Sequence, residues 1–218
     1  MARELPYIVA INEAIHLEME RDDSVLFFGQ NMATTENEPF VDAFGRDRVR
    51  VTPISETAEI GIAVGAALAG YRPVVELYMA EFMLVAMDQV VNEAPRFRYM
   101  SGGQVKVPLV LKAGYGFTAG WAGQHTGTIY GMFMGVPGLK VAVPATAADV
   151  PQAVERAQLS RRQAKAALAQ PDALSAQPVF LLRLGLARDA ARFAHWLRQP
   201  DAPQAEAPQP HQAAVPAS

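Results

Sequence analysis

The chain of 218 residues contains no cysteine. This absence excludes a disulfide framework and any zinc site built on cysteine ligands. Basic residues are not in excess either, since 19 lysines and arginines stand against 22 aspartates and glutamates, and the formal net charge is −3 at pH 7. Nucleic-acid binding depends on clustered lysine and arginine, so this balance argues against a nucleic-acid partner.

Long hydrophobic runs are also missing. No window of roughly eighteen residues stays apolar without a charge or a proline, so we expect no membrane span. Glu4 and Pro6 interrupt the amino-terminal segment, which therefore lacks the apolar core of a signal peptide. Half of the residues are hydrophobic, which is enough for a core. Together these observations predict a soluble, cytoplasmic α/β protein.

Several short catalytic motifs are absent. The chain has no G-x-G-x-x-G, no Walker pattern and no G-x-S-x-G, so the common dinucleotide, P-loop and hydrolase signatures are excluded. The four histidines are scattered, and none are at H-x-x-x-H spacing. A metal site formed by this chain alone is therefore not expected.

Alternating strand and helix patterns run along the first two thirds of the chain. Apolar residues at helical spacing predict an amphipathic helix over residues 7–20. Further strands and helices alternate, which implies a parallel sheet. The predicted strands are 24–29, 48–53, 73–79, 107–114, 139–145 and 178–185, and the first, fourth and fifth of them are expected to be buried. The further predicted helices are 56–70 and 81–100, and Pro95 is expected to bend or end the second of these. The expected fold class is α/β, a doubly wound parallel sheet with helices on both faces.

The chain changes character towards its end. Residues 1–185 are predicted to form one domain, and residues 186–218 a low-complexity tail. From Gln199 to Ser218, 15 of 20 residues are alanine, proline or glutamine. Such a segment cannot bury enough apolar surface to offset the entropy lost on ordering, so we expect the tail to be disordered.

Two carboxylates precede a small, apolar segment, "TPISETAEIGIAVGAALAG". Glu56 follows a predicted strand and opens the next helix, at the sheet edge where open parallel sheets bind ligands. The alternative is helix capping, with Ser55 as N-cap and Glu56 favourable against the helix dipole. Glu59 is left without an assigned role.

A glycine-rich stretch follows the strand at 107–114. It reads "AGYGFTAGWAGQHTG", with five glycines, Trp121 and His125. Glycine at this density lets a ligand approach the backbone closely. His125 is a candidate acid, base or hydrogen-bond donor near neutral pH, with a structural role as the alternative. On the helix over 81–100, Phe82 and Val85 are predicted to share one apolar face with Ala86, Gln89 and Val90, either in the core or against another subunit.

These segments together resemble a known family. The motifs are "TPISETAEIGIAVGAALAGYRPVVEL", "FMLVAMDQVVNEAPRFRYMSGG", "VPLVLK" and "AGQHTG" with "GVPGLKVAVPAT". In this order they are similar to the beta subunit of thiamine-diphosphate-dependent 2-oxoacid dehydrogenases, the first components of pyruvate, branched-chain 2-oxoacid and acetoin dehydrogenase complexes. The similarity covers residues 7–150 and implies a transketolase-like pyrimidine-binding domain.

The resemblance implies roles for four residues. Glu56 matches the glutamate of "PISE" that binds the aminopyrimidine ring nitrogen of the cofactor and so makes its exocyclic amine a base. Phe82 matches the residue whose ring stacks on the aminopyrimidine. His125 matches the histidine that faces the substrate or the lipoyl group, although the motif here is "QHT" rather than "QHS". Gln30 stands in "FFGQNM" where the family usually has glutamate, at a position predicted to bind the cofactor.

The resemblance also implies partners. The G-D-G…N motif that holds the diphosphate and Mg²⁺ is absent from this chain, and in two-chain family members it belongs to the alpha subunit. The expected assembly is an α2β2 heterotetramer that feeds a lipoyl-bearing acyltransferase core and acts on a 2-oxo acid or acetoin. The family's further C-terminal domain is not recognisable here.

Two alternatives stay open beside this interpretation. A chain lacking the docking domain could be a catalytically inactive interaction subunit that retains the fold. The same pyrimidine-binding domain also serves ketol transfer in the transketolase branch of the fold, although the motifs match that branch less well.

Overall fold

The computed structural model describes residues 6–30, 38–115, 122–150 and 179–184. The predicted domain boundary at residue 185, the predicted tail over 186–218 and Trp121 lie outside the described residues. Within the described ranges, no helix has the length and apolar character needed to cross a membrane.

Helices and strands alternate along the described chain, as predicted. The α-helices span Tyr7–Arg21 (α1), Glu38–Arg48 (α2), Glu56–Leu68 (α3) and Ala94–Met100 (α4). The strands span Val25–Gly29 (β1), Val49–Val51 (β2), Arg72–Met79 (β3), Val110–Tyr115 (β4), Lys140–Ala142 (β5) and Val179–Leu184 (β6). Segments of 3₁₀-helix span Ala80–Ala86, Ile129–Met132 and Ala147–Asp149, and a π-helical segment spans Asp88–Glu93.

The strands form one sheet in the order β2-β1-β3-β4-β6-β5, and every neighbouring pair is parallel. Buried residues occupy all of β4 and nearly all of β3. Because both faces of these strands are buried, their sequences are nearly continuous apolar runs, interrupted by Glu76 and Lys112, rather than alternating ones. The predicted parallel sheet is confirmed.

Neighbouring residues of a strand enter different cores, because successive side chains point to opposite faces of a sheet. Phe28 and Val75 belong to a core that includes residues of α3 and α4. Phe27 and Val74 belong to a second core that includes residues of α1 and the Phe40 ring of α2. Helices therefore cover both faces, as the doubly wound prediction requires.

The carboxyl end of β1 approaches β3 more closely than a side chain allows. A Cβ atom placed on Gly29 would collide with the backbone carbonyl oxygen of Glu76. Glycine is the residue that tolerates such an approach, because it has no Cβ. Gly29 thus closes β1 opposite Glu76 of β3, and Gln30 follows it directly.

The prediction of a single α-helix over residues 81–100 is wrong in its type. A 3₁₀ segment is followed by a π-helical segment and then by α4. Pro95 lies in the first turn of α4, directly after the π-helical segment, rather than ending a helix. A 3₁₀ turn has three residues, so Met83 and Ala86 are buried while Val85 is 65% exposed. The apolar face that Val85 and Ala86 were predicted to share therefore does not form, because one of the two side chains is buried and the other is exposed.

Two further elements differ from the sequence prediction. Helix α2 was not predicted, and Gly45 interrupts it with a φ of 72°, so that the helical pattern is too short to recognise. Strand β5 was predicted to be buried, but it lies at the edge of the described sheet and Lys140 is exposed. An edge strand has a neighbour on one side only, so the sheet does not enclose it as it encloses the central strands.

A buried ion pair joins the two central strands. Glu76 of β3 and Lys112 of β4 are direct register partners, and each is 5% exposed. Lys112 Nζ donates a hydrogen bond to Glu76 Oε2 and lies 5.9 Å from the centroid of the Phe27 ring. Removing one charge of such a pair leaves the other uncompensated in a medium of low dielectric.

We expect Lys112→Met to lower the free energy of unfolding by about 3–5 kcal/mol, because Glu76 is then buried without its cation. The double variant Glu76→Leu/Lys112→Met should be less destabilised than Lys112→Met, since no buried charge is left. Urea unfolding followed by circular dichroism measures both. Lys140→Met, on the exposed edge strand, is the matched control and should change stability by less than about 0.5 kcal/mol. If the loss of unfolding free energy in the double variant equals the sum of the losses in the two single variants, the pairing of Glu76 with Lys112 is contradicted.

Candidate active site

The candidate residues lie at the carboxyl edge of the sheet. Strand β1 has β2 on one side and β3 on the other. The chain therefore passes from β1 to β2 on one side and then crosses over to place β3 on the opposite side. Open α/β sheets bind ligands at such a change of direction, beyond the carboxyl ends of the strands. Gln30 follows β1 directly, Glu56 opens the helix after β2, and Phe82 follows β3.

Glu56 is a buried carboxylate at the start of α3, and it is 8% exposed. Ser55 occupies the N-cap position, but its side chain makes no capping hydrogen bond. The helix dipole favours a negative charge in this first turn. Gln30 Nε2 donates to Glu56 Oε1 over 2.8 Å. The structure therefore joins two of the predicted site residues through one hydrogen bond.

Glu59 lies one turn further along α3 and is almost fully buried, with 1% of its surface exposed. Thr52 Oγ1 donates to Glu59 Oε1 over 2.8 Å, and Gln30 Nε2 lies 3.4 Å from Oε2. Burial raises the pKa of the Glu59 carboxyl, and the charge of Glu56 adds to the rise, against the hydrogen bonds from Thr52 and Gln30. A single amide thus lies between two buried carboxyl groups.

Phe82 and His125 form the second pair of predicted residues that the structure brings together. Their ring centroids are 5.4 Å apart at an interplanar angle of 87°. An edge-to-face arrangement of this kind is favourable between aromatic rings. Both residues are half-buried, which leaves part of each ring open to a ligand.

The two pairs are connected through neighbouring residues of their elements rather than through their own side chains. Thr57 Oγ1 of α3 donates to the Val85 carbonyl of the 3₁₀ segment over 3.1 Å. Within the described part of the chain, Glu56 makes no hydrogen bond to His125. The structure therefore places an anion and an aromatic pair on adjoining elements at one sheet edge, with no direct bond between them.

Sequence reasoning missed part of this cluster. Thr52 was not singled out, and Glu59 had no assigned role, although both contact the Gln30–Glu56 group. The available signal was the spacing of two glutamates three residues apart in a first turn, where their side chains share one side of the helix. In the described ranges, no group of three or more histidine, aspartate or glutamate side chains could hold a metal ion.

Comparison with solved structures gives the same fold. The chain superposes on "Split gene transketolase, inactive beta4 tetramer" with a TM-score of 0.63 over 83% of this chain and 51% of that one. The sequence identity is 16%, so this likeness concerns the fold alone.

Curated relatives are more similar in sequence. The chain is 39% identical over 166 residues to the acetoin:2,6-dichlorophenolindophenol oxidoreductase subunit beta of Bacillus subtilis (strain 168), covering 68% of this chain and 48% of the relative. It is 38% identical over 176 residues to the pyruvate dehydrogenase E1 component subunit beta-2, mitochondrial, of Oryza sativa subsp. japonica, covering 78% and 44%. The chain therefore spans just under half the length of these relatives.

These relatives confirm the resemblance to dehydrogenase beta subunits that the motifs indicate. The parallel sheet agrees with the fold that this resemblance implies. The profile of the transketolase pyrimidine-binding domain matches residues 3–175, which is most of the chain. The chain belongs to the transketolase pyrimidine-binding domain family.

Proposed function

We propose that the chain is the pyrimidine-binding, beta-type subunit of a thiamine-diphosphate-dependent dehydrogenase component. It would oxidatively decarboxylate a 2-oxo acid, or cleave acetoin, and pass the acyl group to a lipoyl carrier. The support is the family membership, the names of the relatives and the buried Glu56 at the carboxyl edge of the sheet. Glu56 is the single observation that carries the proposal.

The residues around Glu56 fit an aminopyrimidine. A buried carboxylate is costly unless its oxygens have partners. Among the described residues, Gln30 is the one that donates to Glu56, and it does so to Oε1. A protonated ring nitrogen would supply a donor for Oε2. When bound, thiamine diphosphate would supply a nucleophilic thiazolium carbon and a cationic ring that takes up the electron pair released from the substrate.

Phe82 and His125 would serve the two other requirements of such a site. The half-buried Phe82 ring offers an apolar face on which a heteroaromatic ring can stack. His125 would place an imidazole, a group that can accept or donate a proton, beside the reacting substrate. The edge-to-face contact with Phe82 fixes where that imidazole lies.

Gln30 and Glu59 would act on Glu56 as positioning residues. The Gln30 amide donates to Glu56 and also contacts Glu59. Glu59 is itself held by a hydrogen bond from Thr52. A glutamine at this position donates a hydrogen bond whatever the pH, whereas a glutamate would add a third negative charge unless protonated. Glutamine thus orients the Glu56 carboxylate without adding a charge beside it.

The site requires a second chain. The sequence has no G-D-G motif for a diphosphate and Mg²⁺, so an alpha-type subunit would supply it in an α2β2 assembly. Three large apolar residues near the site are exposed, Ile54 by 80%, Val85 by 65% and Ile62 by 60%, as expected of a surface that a partner covers. Delivery to a lipoyl acyltransferase core belongs to the same proposal. The cytoplasmic location stays a prediction.

Reconstitution tests the proposal. The full chain is mixed with an alpha-type subunit of an acetoin or pyruvate dehydrogenase, thiamine diphosphate and Mg²⁺, and dye reduction is followed with acetoin and with several 2-oxo acids. Calorimetry of the two chains is run in parallel. Tight binding without turnover would support the inactive interaction subunit instead, and activity in a sugar-phosphate ketol-transfer assay would favour the transketolase branch.

Glu56→Gln should reduce kcat by about 10²- to 10⁴-fold in this assay, because an amide oxygen can accept a hydrogen bond from the ring nitrogen but has no negative charge to stabilise its protonated form. Binding to the alpha-type subunit, measured by calorimetry, should be unchanged. Glu20→Gln, on the exposed side of α1, is the matched control and should keep full activity. Full activity of Glu56→Gln would end the assignment.

Glu59→Gln tests the electrostatics of the cluster. The pKa of the Glu59 carboxyl is raised above its ordinary value of 4.5 in the folded chain. Its contribution to stability is therefore fully present below pH 4.5 and is lost as the pH rises through the folded pKa. Because glutamine does not ionise, the free energy of unfolding of Glu59→Gln relative to the unmodified chain should be higher at pH 7 than at pH 4. Urea unfolding at both pH values measures this difference, and an equal or opposite difference would contradict it.

A further inference from the structure

Glu81 makes a contact that the proposed function does not use. It lies in the first turn of the 3₁₀ segment after β3, and its Oε1 accepts a hydrogen bond from the backbone N–H of Gly127. The two residues are 46 positions apart in sequence. A hydrogen bond to a carboxylate is stronger than one between neutral groups. Glu81 therefore holds the loop that carries His125.

The loop is shaped to receive this carboxylate. A Cβ atom on Gly127 would lie 3.0 Å from Glu81 Oε1 and 3.5 Å from its Cγ, so a side chain there would push the two apart. On the other side of His125, the Ala122 carbonyl accepts hydrogen bonds from His125 N and from Thr126 Oγ1, at 3.4 Å and 2.9 Å. These bonds close a tight turn, and Glu81 attaches its end to the 3₁₀ segment.

Two consecutive residues of the 3₁₀ segment thus contact the same loop. Glu81 bonds to its backbone at Gly127, while the Phe82 ring meets the imidazole of His125. The bond to Glu81 fixes the position of the loop backbone at Gly127, and the contact with Phe82 fixes the orientation of the His125 ring. A ring–ring contact of this kind is worth about 0.5–1.5 kcal/mol, so the bond from Gly127 to Glu81 adds a second attachment of the loop to the 3₁₀ segment.

The second oxygen of Glu81 is enclosed as well. Glu81 Oε2 is buried, and none of the described residues gives it a hydrogen-bond partner. Within the described part of the chain, the carboxylate is therefore held through Oε1, at the bond from Gly127.

We propose that Glu81 is a positioning residue that holds the His125 loop against Phe82, so that the imidazole faces the substrate at a fixed place. The effect of Glu81 on turnover rests on the proposed function, whereas its effect on the position of His125 does not. The test therefore has one arm that needs no turnover and one arm that does.

The first arm measures the environment of His125 by NMR on the full chain with ¹³C-labelled histidine rings. His125 is identified as the signal lost in His125→Gln, and its shift in Phe82→Leu gives the value without the ring contact. His16, which packs against Phe40 and Phe44, reports separately on whether the fold is intact. Asp42→Ala removes an exposed carboxylate elsewhere and is the matched control.

Glu81→Ala should move the His125 signal to its Phe82→Leu position and leave His16 unchanged. Glu81→Gln, which keeps an acceptor oxygen, should leave His125 in place. If Glu81→Ala also moves His16, the decision passes to Gly127→Ala, whose added Cβ should displace His125 in the same way. The proposal is overturned if Phe82→Leu does not move the signal, if Glu81→Ala or the deciding Gly127→Ala does not, or if Glu81→Gln moves it as far as Glu81→Ala.

The second arm uses the reconstituted enzyme. Glu81→Ala should lower kcat by about 10- to 100-fold with little change in KM, because a catalytic group displaced by about 1 Å loses rate rather than affinity. Glu81→Gln should restore most of the rate. A rise in KM at unchanged kcat would overturn the positioning role. Absence of turnover in the unmodified chain would count against the proposed function, while the NMR arm still decides the role of Glu81.

Discussion

A negative charge at the start of α3 is the constraint on which the rest of the site depends. Glu56 is 8% exposed, and an ion in such surroundings has to be stabilised by oriented dipoles or by a partner. The first turn of the helix supplies a dipole of the right sign, and the Gln30 amide supplies a hydrogen bond. Neither is a cation, so a cationic or proton-donating ligand would find an acceptor already in place.

The topology of the sheet makes this arrangement possible. Gln30 and Glu56 are 26 residues apart, and they meet because β1 and β2 are parallel neighbours whose carboxyl ends lie at one edge. The absence of a side chain at Gly29 lets β1 run tightly against β3. The loop after β4 adds His125 from a further strand. Each element contributes one or two groups, and none of them forms a site alone.

The described elements around the site agree with the proposed assembly with a second chain. In that proposal this chain would provide the acid–base and stacking half of a site, and the described residues include no cluster that could hold a metal ion. Exposed isoleucine and valine side chains border the same region. A domain that exposes apolar surface next to a buried anion gains from a partner twice, since association removes apolar surface from water and strengthens the electrostatics of the enclosed site.

The amino-acid sequence by itself determined the alternation of strands and helices, the buried character of β1 and β4, and the identity of Glu56, Phe82, His125 and Gln30 as candidates. Apolar periodicity and ordered motifs are local signals, so they can be recognised without coordinates. It did not reveal α2, where Gly45 breaks the pattern, or the 3₁₀ and π geometry after β3, because apolar spacing does not distinguish helix types whose turns differ by a fraction of a residue.

Only the tertiary structure decided which candidates meet. The bonds from Gln30 to Glu56 and Glu59, and from Gly127 to Glu81, join residues far apart in the chain. No local pattern encodes such pairs, since they depend on strand order and on the close approach of backbones. The paired side chains follow from sheet topology, and topology is the outcome of burying two apolar faces at once.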